Sequence, residues 1–189
     1  MRCIRVLLPL VFLAVIVQAA PLTYYTSLSG PNENPPVPSP GVGNARVIID
    51  PVANLLSVRI SFSGLLGLTT VAHIHCCIDP PGNVGVATTT PSFPGFPVGV
   101  TSGVYEQSFD TTLASTFRAG FITDNGGTTE GAEAALAAGL AAGRAYVNVH
   151  TNLYPGGEIR GFLTTVPEPS TFLLGALGLA ALGLFRRRG

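Results

Sequence analysis

From residue 22 onward the apolar positions fall in short runs. Several of them alternate strictly with polar residues, and clusters of Gly and Pro separate one run from the next. Alternation with period two is the mark of a strand with one face in a core, and punctuation at this spacing is that of an all-β sandwich or barrel rather than of βαβ units. The pattern predicts strands over residues 22–28, 45–50, 55–62, 69–76, 103–109, 116–121, 145–151 and 158–164. In the third of these Val58, Ile60 and Phe62 share a face, and the turn residues of 50–54 predict a hairpin between the second and third. One helix is predicted, over 129–142, where Ala132, Ala135, Leu136 and Leu140 recur at helical spacing and Gly143 supplies a stop. Pro-rich segments at 31–40 and 91–97 cannot donate to a ladder and read as surface loops.

The two ends follow different patterns. Residues 1–19 carry Arg2 and Arg5, an unbroken apolar run, and then Val17-Gln18-Ala19, the build of a secretory signal peptide cleaved after Ala19 by signal peptidase. At the other end Pro167-Glu168-Pro169 precedes an apolar stretch at about residues 171–185 and a terminal cluster of Arg186, Arg187 and Arg188. That stretch is close to the shortest that spans a bilayer, and the arginines orient it with the body of the protein outside the cytoplasm. The chain thus divides into a signal peptide (1–19), a β domain (20–165) and a C-terminal segment (166–189).

In that order, a Pro-Glu-Pro motif, a short apolar helix and an Arg cluster at the terminus resemble the PEP-CTERM sorting signal of Gram-negative, biofilm-forming bacteria. The resemblance implies recognition and cleavage near residues 167–169 by an exosortase. It also implies a membrane-anchored precursor whose product reaches the cell surface or the exopolysaccharide matrix.

Charge removes one class of function. The chain is formally neutral overall, but with the two ends set aside five arginines face nine acidic residues, and there is no lysine. Phosphate-backbone binding then lacks its electrostatic term, which excludes nucleic acid as a partner.

Chemistry is concentrated in Val-Ala-His-Ile-His-Cys-Cys at 71–77, which holds two of the three histidines. The third, His150, lies in the strand predicted at 145–151. As a strand, 71–77 sets Ala72, Ile74 and Cys76 on the core side and His73, His75 and Cys77 on the other. In 145–151 the same alternation separates Ala145, Val147 and Val149 from Tyr146, Asn148 and His150. Two imidazoles at i and i+2 with a third from a neighbouring strand make a three-nitrogen set for Zn or Cu, with Cys77 as an optional fourth ligand. The alternative is that these histidines serve hydrogen bonding or packing. Glu158 or Arg160 could orient His150 through its second nitrogen, but the plainer reading is an Arg–Glu pair within the last hairpin. Once Cys3 leaves with the signal peptide, Cys76 and Cys77 face an oxidising compartment as a vicinal disulfide, as metal thiolates, or linked to another chain. No nucleophile elbow and no phosphate-cradling glycine loop occurs, so the sequence points to a non-enzymatic module.

The body itself resembles the CHRD domain, first recognised in chordin. The residues that carry the likeness are Leu28-Ser29-Gly30 with Asn32-Glu33 and Pro35-Pro36-Val37, then Ala72-His73-Ile74-His75. The third and most specific set is Gly143 to Thr151 with Tyr154-Pro155-Gly156-Gly157-Glu158-Ile159-Arg160-Gly161. The resemblance implies an immunoglobulin-like β-sandwich or barrel distantly similar to Cu/Zn superoxide dismutase. It does not supply the bridging histidine of that enzyme. With both terminal addresses, the expected role is that of an exported binding or structural module, with a surface protein or exopolysaccharide as ligand.

Overall fold

The structure is a computed structural model, and it describes residues 21–165. The signal peptide, the C-terminal apolar segment and the sorting motif expected from the sequence lie outside those residues. Among the described residues no helix is long and apolar enough to cross a membrane.

The domain is a curled antiparallel sheet of eight strands. They are β1 (Leu22–Ser29), β2 (Val42–Asp50), β3 (Leu55–Ser63), β4 (Thr69–Cys76), β5 (Gly103–Asp110), β6 (Ala145–Thr151), β7 (Ile159–Phe162) and β8 (Thr164–Thr165). The spatial order is β4-β6-β7-β1-β2-β3-β5, with β8 also on β1. This is the all-β sandwich-like or barrel-like fold that the alternation predicts. The β2–β3 hairpin forms in the register Asp50↔Leu55 to Val42↔Ser63. Asp50 Oδ1 accepts the Val52 and Ala53 amides in its turn, the local bonding that favours Asp at such positions.

One apolar core fills the concave side. Leu56, Val58, Ile60 and Phe62 reach it from β3, Ala72, Ile74 and Cys76 from β4, and Ala145, Val147 and Val149 from β6. Helix α2 (Thr129–Ala141) adds Ala132, Leu136 and Leu140 to that core. Thr128 caps it by accepting the Gly131 amide, and Gly143, at φ +68°, ends it as the sequence predicts.

One strand expectation fails. Residues 116–121 form the end of a 3-10 turn (Ala114–Thr116) and the start of helix α1 (Ala119–Asp124). Phe117 and Phe121 are both buried with their rings stacked at 6.4 Å. Phe117 is extended and bridges Thr88, whereas Phe121 sits on α1, so the two apolar residues belong to two local structures and not to one strand. The Pro-rich segments also differ from surface loops. Phe93 and Phe96 enter the core, and Glu33 and Ser39 are buried.

Candidate functional site

The sheet brings the three histidines to one point. β4 and β6 pair antiparallel with Val71↔His150, His73↔Asn148 and His75↔Tyr146. Side chains of one parity on both strands therefore face away from the core together. The His73 ring lies 5.0 Å from that of His150 and 5.5 Å from that of His75, and one nitrogen of each of the three falls within 4.8 Å of the others.

The alternation places these imidazoles off the core correctly, but they do not face solvent. His73 is 6% exposed and His150 9%. The cover is segment 84–93, which runs along the free edge of β4. Ala87 and Phe93 donate there to Ile74 and Ala72, while Thr88 Oγ1 and Ser92 Oγ accept the Ile74 and Ala72 amides. A strap of this kind protects an edge strand, and here it also roofs the histidines.

Each imidazole is held by one backbone carbonyl. His73 Nε2 donates to Pro91 O at 2.7 Å, His75 Nδ1 to Val84 O at 2.7 Å, and His150 Nδ1 to Pro155 O at 2.8 Å. A carbonyl oxygen only accepts, so the bonded nitrogen carries the proton and the other presents a lone pair. Those other nitrogens, His73 Nδ1, His75 Nε2 and His150 Nε2, are buried without a hydrogen-bond partner. Burial holds all three rings neutral. It pushes His73 down to about 4 against the Pro91 bond, and His75 down to about 4 against the Val84 bond. His150 is lowered for the same reason.

Three buried lone pairs aimed at one region are costly unless something satisfies them. A water molecule has two protons and cannot serve three acceptors. A cation can, and neutral imidazole nitrogens suit Zn or Cu. The donor set thus fits a transition-metal ion, with the Pro91, Val84 and Pro155 carbonyls as the outer partners that metal-binding histidines require.

The rest of the predicted set lies elsewhere. Cys77 is not a neighbour of the imidazoles. It is joined to Cys76 in a vicinal disulfide packed on Gly139 of α2, which resolves the three states left open by the sequence. Glu158 does not orient His150. Its carboxylate takes Ser39 Oγ, Thr151 Oγ1 and the Leu66 and Gly67 amides. Nor does Glu158 pair with Arg160, whose guanidinium donates to the carbonyls of Asn32, Pro81 and Gly82 and to Asn83 Oδ1, with Glu33 at 3.8 Å.

Sequence reasoning set Tyr146 and Asn148 on the face of His150 without giving them a role, and gave Glu33 none. Tyr146 stacks on His75 and lies beneath the Arg160 guanidinium at 4.8 Å. Asn148 donates to the Glu33 carboxylate. Desolvation pushes the Glu33 carboxyl up to about 7 in spite of Arg160. Period two from His150 already aligns Tyr146 and Asn148 with it. Nothing local marks Glu33.

Fold and site together define an all-β domain with a roofed three-histidine pocket between two paired strands. The chain belongs to the CHRD domain family, which matches residues 24–163. A PEP-CTERM protein-sorting motif matches residues 165–188. The protein is accordingly an exported one, made as a membrane-anchored precursor and sorted through an exosortase. No curated protein and no solved structure was found to match the chain.

Proposed function

We propose that this protein is a non-enzymatic metal-binding module displayed at the cell surface or in the exopolysaccharide matrix of a Gram-negative bacterium. His73, His75 and His150 hold one Zn or Cu ion. The observation that carries the reading is the convergence of three buried, unpartnered ring nitrogens, each on a ring fixed by a carbonyl. The ion would supply Lewis acidity or a bound charge. The chain's own contribution is to orient three lone pairs and exclude water.

Display rests on the sorting motif. Signal peptidase removes residues 1–19, the apolar segment near 171–185 anchors the precursor, and an exosortase cleaves near Pro167-Glu168-Pro169. Replacing those three residues with alanine should trap a membrane-bound precursor, and undiminished release of the mature protein would refute cleavage there.

Metal analysis tests the binding reading. Protein purified without a polyhistidine tag should carry or take up one equivalent of Zn or Cu, and His150→Ala should abolish it. Folded protein that takes up neither ion would overturn the proposal.

A further inference from the structure

Resting on the metal-binding reading, we infer that the three-histidine pocket is selective for monovalent copper over divalent ions. Four observations converge on this.

The donor set is wholly neutral. Each of the three rings spends its N–H on a backbone carbonyl and offers one lone pair. The nearby anions are committed elsewhere. Glu158 takes four donors, Glu33 takes Asn148 and faces Arg160, and Cys77 is in the disulfide with Cys76. No carboxylate or thiolate therefore joins the imidazoles to cancel a second positive charge.

The pocket is dry. The three lone-pair nitrogens have no solvent-exposed surface. The clefts that flank Glu33, of about 420 and 260 Å³, are lined by none of the three histidines. The energy of moving an ion out of water rises with the square of its charge, so a divalent ion is penalised far more heavily than a monovalent one.

A fixed cation is already close. The Arg160 guanidinium is 1% exposed and sits over Tyr146, whose other face covers His75. Its field opposes every added positive charge in proportion to that charge.

Three donors suit the valence. Zinc sites are almost always four-coordinate, completed by a further side chain or by water. Among the described residues no fourth His, Cys, Asp or Glu joins the cluster, and the three nitrogens have almost no exposed surface. A d10 monovalent ion is satisfied by three nitrogens.

The test uses the mature protein, purified without a tag and with its disulfide intact, as shown by the absence of titratable thiols. It is titrated anaerobically with cuprous copper under ascorbate against a chromophoric cuprous chelator, and in parallel with Zn(II) against a zinc indicator. One equivalent of cuprous ion is expected, held at least about 100-fold more tightly than Zn(II), with a copper K-edge characteristic of three-coordinate cuprous nitrogen ligation. Silver(I) should compete at the same site. His73→Gln should lose copper while keeping the cooperative unfolding transition. If that variant does not fold, His150→Gln takes its place. Zn(II) bound to the histidines as tightly as cuprous copper, or sulfur ligation at the edge, would overturn the inference and leave the metal site standing. Failure to bind either ion would overturn both.

Discussion

The rings of His75 and Tyr146 are stacked, with centroids 4.7 Å apart and planes within 4° of parallel. Tyr146 is the register partner of His75 across the β4–β6 pair, and its far face meets Arg160 and Phe162. The His75 ring plane is thus set by stacking as well as by Val84. Tyr146→Phe keeps the stack and should leave metal affinity and stability near wild type, since the hydroxyl reaches Val84 at only 3.4 Å. Tyr146→Leu removes the stack and should lower metal affinity by about 10- to 100-fold, in the range of other outer-partner losses, and stability by about 1 kcal/mol. Competitive chelator titration and urea unfolding measure the two effects, and equal affinities for the two variants would refute the role.

Acid should destabilise the metal-free protein. His73 and His75 stay neutral in the fold down to about 4 but titrate near 6.5 when unfolded. Across that interval the unfolded chain binds more protons, so stability falls as pH falls, by about 3 kcal/mol for each histidine. His150 acts in the same direction. Glu33 acts in the opposite one. Its carboxyl stays protonated in the fold up to about 7, against 4.5 in the unfolded chain, so its contribution is lost as pH rises between those values. Three histidines outweigh one carboxyl, so stability rises steeply from about pH 4 and levels off near pH ~7. Urea unfolding at a series of pH values checks this. Glu33→Gln removes the opposing contribution and should steepen the rise between about 4.5 and 7, whereas a flat profile between 4.5 and 6.5 would contradict the assignment.

The parts of this architecture legible in the sequence are those written in side-chain alternation. Val58, Ile60 and Phe62 on β3, and Ala145, Val147 and Val149 on β6, each have one apolar face, so their orientation follows from period two. The same rule put His73, His75 and His150 off the core. The roof was not legible, because its working atoms are the carbonyls of Val84, Pro91 and Pro155, and a carbonyl carries no residue identity. Proline marked 91–97 as unable to donate to a ladder, which says nothing of its oxygens, and Phe93 within it does donate to Ala72. Cys77 was misplaced because alternation was extended one residue past the end of β4, where the chain leaves the strand to form the disulfide. Glu33 and Arg160, distant in sequence, meet only because β1 and β7 are neighbours in the sheet.

Gly139 should be intolerant of a side chain. A Cβ built there would run into the sulfurs of both Cys76 and Cys77, so α2 can approach the disulfide only at a glycine. At an ordinary helical position Gly→Ala stabilises by about 1 kcal/mol. Gly139→Ala should instead destabilise by about 1–3 kcal/mol. In a background where both cysteines are alanine the clash is gone and the same substitution should become neutral or stabilising. Thermal unfolding of the four proteins in that cycle measures the coupling, and additive effects would show that the disulfide does not set the helix position.

Arg160 should be the most sensitive charged residue in the domain. It is fully buried on β7 and ties the 3-10 turn at Gly30–Asn32 to residues 81–83 through Asn32, Pro81, Gly82 and Asn83. Arg160→Met keeps the apolar stem but leaves those acceptors, and Glu33, without their donor. Above about pH 7, where Glu33 is ionised in the fold, breaking a buried charged pair by removing one partner costs about 3–5 kcal/mol, and the loss should appear as a lower urea midpoint with an unchanged slope. Glu33→Gln added to Arg160→Met removes the stranded acid and should recover part of that loss. Arg160→Lys should not restore stability, because one ammonium cannot reproduce the planar fork that reaches Asn32, Pro81 and Asn83 together. An Arg160→Met protein within about 1 kcal/mol of wild type would mean that the turn and residues 81–83 hold their places without the guanidinium.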